Sequence, residues 1–472
     1  MLFPEALEFL KGQSVIGLEP ITQAGSNRRY DRVRTDDGSY ILCRSANRAE
    51  NATFIYLTQL FREAGAKVPE LLAVSVDQEA YLLSDNGAEC LLDRVLREGH
   101  SEAVMDLYRK ALDELARLQD AGTKEVDFSR LSPSAFDVHA VLADLNYFKY
   151  YFLDLQQLAY DRAALTQEFR ALAGQCAQSA CSGFMFRDCQ GRNILVKGDA
   201  LTFIDYQGGM YGPLAYDAAS LLWQARAALP AEWRDQLLDH YIAALQANRS
   251  VDATAFRKEY SRLVLIRLLQ VLGAYGLRGL IEKKSHFVRS IPEGLRNLQV
   301  WLSEYALADF PVLRGVLQAL TTEERIEAFR TPQAAADTAL QVRVQSFSYK
   351  QGIPADESGN GGGFVFDCRG ILNPGRFEEY KKLTGRDRPV IEFLEQRTKV
   401  AEFLAAAKAA VDISVDDYLR RGFSHLMISF GCTGGQHRSV YCADAMARHL
   451  QEKYGLKPEL RHVEQEKKNW VN

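Results

Sequence analysis

A chain of 472 residues is about three times the length that one hydrophobic core commonly serves, so two or three domains are expected. Its composition, 47% hydrophobic and 25% charged, is ordinary for a soluble protein, and its 57 basic and 61 acidic side chains nearly cancel, which excludes the strongly positive field of a dedicated nucleic-acid binder. Eight cysteines, at positions 43, 90, 176, 181, 189, 368, 432 and 442, make no CxxC pair; this argues against a disulfide framework or structural zinc and for reduced thiols in the cytoplasm.

The opening residues, MLFPEALEFLKGQS, carry neither a basic segment nor a long apolar one, so no secretory signal is expected. Residues 1–85 alternate short β-type runs with one helix: a hairpin around Gly25, a strand at 40–44 and a helix near 52–64, which together make a small α/β lobe. Residues 86–320 are mostly helical, with apolar spacing of three and four in ALDELARL, WRDQLLDHYIAAL and RLVLIRLLQVL, interrupted by strand-like runs between Phe184 and Asp205. The most apolar stretch, residues 263–277, is short and contains Arg267, so no membrane span is expected. Residues 321–340 are charged and Ala-rich and read as a helix or linker, with the boundary near 335. From 341 to 472, QVRVQSFSY resumes β-type alternation and opens a second α/β domain, in which SGNGGG at 358–363 reads as a flexible loop.

FMFRDCQGRNILV followed by LTFIDYQGG places Asp188 five residues before Asn193, with Asp205 at a later strand end. Phosphoryl transfer to a hydroxyl needs a base that orients the nucleophile and hard oxygen ligands that hold magnesium against the triphosphate. Asp188 suits the base, and Asn193 and Asp205 suit the metal. The Asp-x4-Asn spacing is that of a kinase catalytic loop, with Phe186 where histidine is usual.

The stretch resembles the aminoglycoside phosphotransferase family, and within it the kinases that phosphorylate N-acetylmuramate and N-acetylglucosamine at the anomeric hydroxyl. The resemblance covers roughly residues 1–320. It implies a two-lobed, protein-kinase-like fold, use of ATP and Mg2+, and a sugar or amino-sugar substrate. DYQGGMYGPLAYDAASL is similar to a family segment in which Asp217 would be a structural carboxylate. AGSNRRYDRV is like the Ser-rich hairpin over the nucleotide, which brings in Ser26 and Asn27. AYLLSDNG is like the segment joining the lobes, whose backbone around Leu82 to Ser84 would bind adenine. The family's phosphate-binding lysine falls at Cys43 or Arg44, with no lysine within ten residues on either side; Arg44 is the expected substitute, paired with Glu50 or another acid. Asp188, Arg192 and aromatics of NYFKYYFLDL, residues 146–155, are candidate acceptor contacts, the alternative for the aromatics being lobe core.

In the second domain, SHLMISFGCTGGQHRSVYCADAMARHL reads as a buried strand ending at Phe430, a glycine-containing loop over 431–439 and an amphipathic helix from about Val440. Glycines at 434 and 435, a helix N-terminus, His437 and Arg438 make an anion site. Cys432 and Arg438 also form a Cys-x5-Arg-Ser pattern, which with Asp367 as acid is a less favoured phosphatase reading. SFSYKQGIP, VFDCRGILNP, TGRDRPVIEFLEQRT and GCTGGQHRSVY resemble the C-terminal domain of the RapZ adaptors, which sense glucosamine-6-phosphate and present a small RNA to a ribonuclease. That resemblance implies an amino-sugar-phosphate site of Asp367, Arg369, Asn373, Arg397, Thr433, Gly434, Gly435, His437 and Arg438. Gly375 stands where that family has histidine, and no P-loop motif G-x4-GK[ST] precedes the domain. Lys467 and Lys468 are mixed with glutamates, so RNA is the disfavoured partner, and self-assembly of related modules makes a homo-oligomer compatible with the chain.

The fold class is therefore α/β (α+β): a two-lobed phosphotransferase followed by a separate small α/β domain with a strand–loop–helix phosphate site. The leading expectation is an ATP-dependent sugar or amino-sugar kinase fused to an amino-sugar-phosphate sensor. The competing one is a nucleotide-binding adaptor acting on RNA or a protein.

Overall fold

Alternation in RYDRVRT and SYILCR puts Val33 and Leu42 on one face of a sheet and Tyr30 and Cys43 on the other, and the computed structural model pairs these runs as antiparallel strands β2 (Arg29–Thr35) and β3 (Ser39–Arg44). They lie in a five-stranded antiparallel sheet with β1 (Val15–Ile21), β4 (Leu71–Val74) and β5 (Ala80–Ser84), in the order β1-β2-β3-β5-β4. The residues described are 4–10, 12–21, 28–282, 284–330, 338–356, 358–359 and 362–467. The chain forms two compact units, residues 1–282 with 290–328, and residues 283–289 with 329–472.

In the first unit, the Val33–Leu42 face of the sheet packs with Ala6, Leu10 and Leu82. Tyr81, on the other face, takes the helix Arg48–Glu63, whose Phe54 stacks on the Tyr81 ring at 4.9 Å. Asn47 caps that helix by accepting from the Glu50 N–H, which sets where its first turn begins. The same Phe54 stacks on Tyr206 of the larger lobe at 5.3 Å, and Thr58 and Tyr206 share a hydroxyl–hydroxyl hydrogen bond of 2.6 Å. Aromatic packing thus ties the two lobes together.

The larger lobe is built on the helices Glu102–Glu125 and Ala253–Tyr275, capped by Ser101 and Asp252. The second continues as a π-helical turn, Gly276–Ile281, and at this full length is long and apolar enough to cross a bilayer. Here Leu263, Val264, Leu265, Ile266, Leu269 and Leu272 are instead buried among the helices Val138–Phe148, Ala215–Leu222 and Ile291–Glu304. The expected aromatic helix at 146–155 leaves α geometry at Phe148, passing through a π turn, Lys149–Leu153, and a 3-10 turn, Asp154–Gln156. Phe148 and Phe152 are core, while Tyr150 is 58% exposed. Two small antiparallel pairs carry the motif residues: β6 (Ser182–Met185) with β9 (Met210–Pro213), and β7 (Ile194–Lys197) with β8 (Ala200–Phe203).

The second unit holds a four-stranded sheet whose pairs are all parallel, formed by β10 (Gln341–Ser348), β11 (Gly363–Asp367), β12 (His425–Cys432) and β13 (Glu459–His462) in the order β11-β12-β10-β13. The near-continuous apolar run of β12 fits burial on both faces. Val390, Val411, Val415 and Met446 pack the core from the helices Arg388–Arg397, Val400–Arg421 and Arg438–Tyr454. Parallel pairing gathers the carboxyl ends of β10, β11 and β12 on one edge, where loops of such sheets place ligands.

One close approach is testable. A Cβ on Gly276 would lie 1.9 Å from the Tyr151 carbonyl oxygen, so Gly276→Ala should destabilise the first unit by about 2 kcal/mol despite the better helix propensity of alanine, read as a lower melting temperature.

Candidate functional site

The chain turns out of β6 through Phe186 and Arg187, the latter in the left-handed region at φ +77°. Asp217, fully buried in the first turn of the helix Ala215–Leu222, holds that turn. Its Oδ2 accepts the Phe186 N–H at 2.7 Å and the Gln119 side-chain amide at 2.8 Å, and its Oδ1 accepts the Arg187 N–H at 2.9 Å. Burial, working against these donors, pushes its carboxyl up to about 7. The Arg187 guanidinium donates to both oxygens of Asp144, at 2.6 and 2.8 Å, and to the Tyr216 hydroxyl at 2.7 Å. Phe186 is buried against the rings of Phe203 and Tyr206, a packing role.

Beyond this turn stands Asp188, its side chain 30% exposed. Asn193 and Asp205 come together because the β7–β8 hairpin pairs Ile194 with Phe203, and the Ile204 N–H donates to the Asn193 carbonyl at 2.9 Å. The Asn193 side-chain amide lies between the two acids, donating to the Asp188 carbonyl at 2.9 Å and to Asp205 Oδ2 at 3.3 Å. Asp205, at φ +70°, also accepts from the Gln207 amide at 2.7 Å. Burial, with the charge of Asp188 beside it, pushes the Asp205 carboxyl up. That is the electrostatic state a cation would relieve.

Arg267 lies outside the sequence expectations. It is 5% exposed in the middle of the helix Ala253–Tyr275, and its Nη2 donates to Asp188 Oδ1 at 2.6 Å while its Nη1 meets Gln270 Oε1 at 3.0 Å. Arg192 donates to the other oxygen, Oδ2, at 3.0 Å. Burial pushes the Asp188 carboxyl up, but the two guanidinium groups, Arg267 first, overcome it and hold the group well below the usual carboxylate range. A lone arginine within an apolar helical run was the available sequence signal.

The nucleotide end needs more correction. Ser26 and Asn27 fall outside the described residues. Arg44 lies on the Leu42 face of β3, opposite Cys43, and pairs with Asp31 of β2. Glu50 instead pairs at 3.0 Å with Arg28, which is 6% exposed and precedes β2. Arg44 thus takes the other acid that the expectation allowed, Asp31, rather than Glu50, because side chains of neighbouring strand residues point to opposite faces. Leu82 is fully buried and pairs with Leu42 on one side and Ala73 on the other, so its backbone is already taken by the sheet. Ser84 donates its N–H to the Glu70 carbonyl, and its hydroxyl accepts from the Glu70 N–H at 2.9 Å. An adenine at this segment would have to meet the residues that follow Ser84.

In the second unit β12 runs two residues past Phe430, to Cys432, and the helix begins two residues before Val440, at Arg438. Gly435 takes φ +66°, and a Cβ there would lie 2.4 Å from Glu464 Cγ and 3.0 Å from the Ser348 nitrogen; Gly434 has open space. The Thr433 carbonyl accepts from Ser348 at 2.8 Å. Arg438, 4% exposed, donates through Nη1 to the carbonyls of Arg369 and Ile371 at 3.0 and 2.7 Å, so part of this guanidinium holds the neighbouring loop. Its Nε is a buried donor with no partner among the described residues. His437 meets the Tyr380 carbonyl at 2.9 Å, and burial pulls its pKa down, leaving a neutral ring. That ring's Cε1 would be 3.2 Å from a Cβ on Gly375, the departure noted in the sequence, and Asn373 accepts the Gly375 N–H at 3.2 Å. Arg397 stands exposed at the end of its helix over the Phe393 ring.

The phosphatase reading loses its acid. Asp367 is gripped by Arg369 through contacts of 2.6–3.0 Å, which hold its carboxyl below the usual range and ionised, with no proton for a leaving group. Cys432 is 3% exposed and sits 3.1 Å from the Ser439 hydroxyl. Burial alone would push the thiol up; Ser439, the Arg438 charge and the Gly435 N–H bring it down.

Two predictions follow from the first unit. Asp217→Ala removes the acceptor shared by the Phe186 and Arg187 N–H groups and the Gln119 amide and should cost about 2–4 kcal/mol in chemical denaturation, with loss of ATP turnover as the turn before Asp188 relaxes. Arg267→Met lets burial raise the Asp188 pKa, so the acid limb of the pH–rate profile for ATP consumption should move to higher pH, while wild-type activity persists further into acid.

Residues 17–253 match the phosphotransferase enzyme family, and residues 340–466 match the RapZ C-terminal domain. A nucleotide-binding protein of Cereibacter sphaeroides is 39% identical over 144 residues, 30% of this chain and 46% of that protein. One of Glaesserella parasuis is 37% identical over 133 residues, 28% of this chain and 44% of its own length. The chain thus spans less than half the length of these relatives. Similar solved structures include a choline/ethanolamine kinase family protein of Mesorhizobium loti, with 15% identity, TM-score 0.43, and coverage of 66% of this chain and 96% of that one. An aminoglycoside phosphotransferase has 16% identity, TM-score 0.43, and coverage of 64% and 99%. With half of its length matched and the Asp188, Asn193 and Asp205 carboxylate–amide set assembled, this chain belongs to the phosphotransferase enzyme family and also carries a RapZ C-terminal domain.

Proposed function

We propose that the first unit transfers the γ-phosphoryl group of ATP to a hydroxyl of a sugar or amino sugar, and that the second unit binds a phosphorylated amino sugar. The observation that carries the first half is Asp188, partly exposed, kept ionised by Arg267 and Arg192, and bridged by Asn193 to Asp205. Asp188 orients the acceptor hydroxyl and receives its proton. Arg192, an exposed side chain four residues along, has to release Oδ2 for that hydroxyl to reach it, whereas Arg267 stays on Oδ1.

Asn193 and Asp205 offer hard oxygen ligands and fit Mg2+, which would supply charge neutralisation on the transferring group. Among the described residues no cluster of three His, Cys, Asp or Glu forms a cation cage, in keeping with a metal that shares its ligands between these two side chains and the nucleotide. In the second unit, the buried Arg438 with its orphaned Nε, the left-handed Gly435 and the start of the helix Arg438–Tyr454 support an anion at the loop 433–437. The eight free cysteines support a cytoplasmic setting.

Magnesium-dependent ATP consumption against N-acetylglucosamine, N-acetylmuramate, glucosamine and glucose tests the reading. One sugar should turn over, and Asp188→Asn should lower kcat by at least ~100-fold with nucleotide binding retained. Binding of nucleotide without turnover of any sugar would overturn it in favour of a nucleotide-binding adaptor.

A further inference from the structure

We propose that Arg28, reaching across from the edge of β2, is the side chain that holds the α- and β-phosphates of the nucleotide, in place of a lysine on β3. The proposal rests on the nucleotide-dependent transfer described above, but not on the identity of the acceptor.

In two-lobed kinases a lysine of the third strand contacts these phosphates and is held by a glutamate of the adjoining helix. Here the helix and its acid remain. Glu50 lies in the first turn of the helix Arg48–Glu63, anchored through its N–H by Asn47, and its Oε2 accepts from the Asn47 amide at 3.2 Å. What faces Glu50 is not a group on β3. Tyr30 pairs with Cys43 and Cys43 with Tyr81, so these three side chains share the face that the helix covers. Arg28, two residues before Tyr30, joins this face and forms an ion pair with Glu50, Nη2 to Oε1 at 3.0 Å; its Nη1 lies 3.5 Å from the Tyr30 hydroxyl and its guanidinium 6.0 Å from the Phe54 ring.

Neighbouring strands are separated by about 4.8 Å, a gap that the long arginine side chain spans. A cation rooted on β2 can therefore stand where one rooted at Cys43 would have stood. Cys43 complements it: it is fully buried, and burial pushes its thiol up, so it adds no charge beside the guanidinium. The charge of Arg28 also acts on Asp205, drawing that carboxyl down against its burial, which connects the cation to the metal-binding end of the cleft. Arg44 is turned to the other face with Asp31 and is not part of this arrangement. An arginine guanidinium presents a planar fork that matches the oxygens of a phosphate.

The test measures binding of Mg2+·AMP-PNP by titration calorimetry, with melting temperatures as a check on folding. Arg28→Met should weaken binding by at least ~10-fold, whereas Arg44→Met should stay within about 3-fold of wild type. Adding Cys43→Lys to Arg28→Met should restore most of the affinity, because the new ammonium occupies the same face beside Glu50. Arg28→Lys, which keeps the charge and lacks the fork, should fall between wild type and Arg28→Met and serves if the methionine variant does not fold. Unchanged binding in Arg28→Met overturns the proposal. So does a loss that appears in Arg44→Met instead, and so does a loss in Arg28→Met that Cys43→Lys fails to restore, which would mark Arg28 as a support of the sheet. An acceptor panel that fails while these affinities behave as stated would leave Arg28 in place and remove only the sugar reading.

Discussion

A fully buried carboxylate, Asp217, is the point on which the placement of Asp188 depends. It accepts the N–H groups of Phe186 and Arg187 and the amide of Gln119, from the long helix Glu102–Glu125. Backbone strain at Arg187, of order 1–3 kcal/mol for a side-chain-bearing residue at such an angle, persists because these bonds over-determine the turn. The result is that Asp188 leaves the turn at a fixed angle while the β7–β8 hairpin independently delivers Asn193 and Asp205 beside it.

Around this frame the cleft is governed by arginines. Arg267 and Arg192 act on Asp188, Arg187 is balanced by Asp144, and Arg28 is paired with Glu50. Two of these four, Arg267 and Arg28, are nearly devoid of solvent contact, so their Coulomb fields are weakly screened and act at full strength on the groups they face. Arg192 is half-exposed, and its hold on Asp188 is correspondingly weak.

Much of this was legible in the residues themselves. Period-two alternation located β3 and β10, the Asp-x4-Asn spacing with apolar ILV behind it located the loop of Asp188 and Asn193, and the glycine-containing run after an apolar strand located the second unit's loop. Partnerships across the sheet were not legible. Alternation shows that Cys43 and Arg44 face opposite ways, but which of them faces the cleft depends on which side the helix Arg48–Glu63 covers, and that is settled by packing of Phe54 on Tyr81 and Tyr206. Arg267 was visible only as an odd charge in an apolar helix because its partner lies 79 residues earlier. Arg438 has the sequence position of an anion ligand, yet much of its donor capacity is directed at backbone carbonyls of a loop 67–69 residues away.

The clamp of Arg267 on Asp188 also bears on the timing of the transfer. A carboxylate made so acidic has little thermodynamic pull on the proton of an alcohol at the start of the reaction. In the transfer proposed above, the proton would cross only once the new phosphorus–oxygen bond had made that hydroxyl a strong acid, so bond-making to phosphorus would run ahead of deprotonation. Such an order suits a loose transition state, in which the nucleophile needs aim more than basicity. In that proposed transfer the arginine on the far helix makes Asp188 a guide for the nucleophile more than a base.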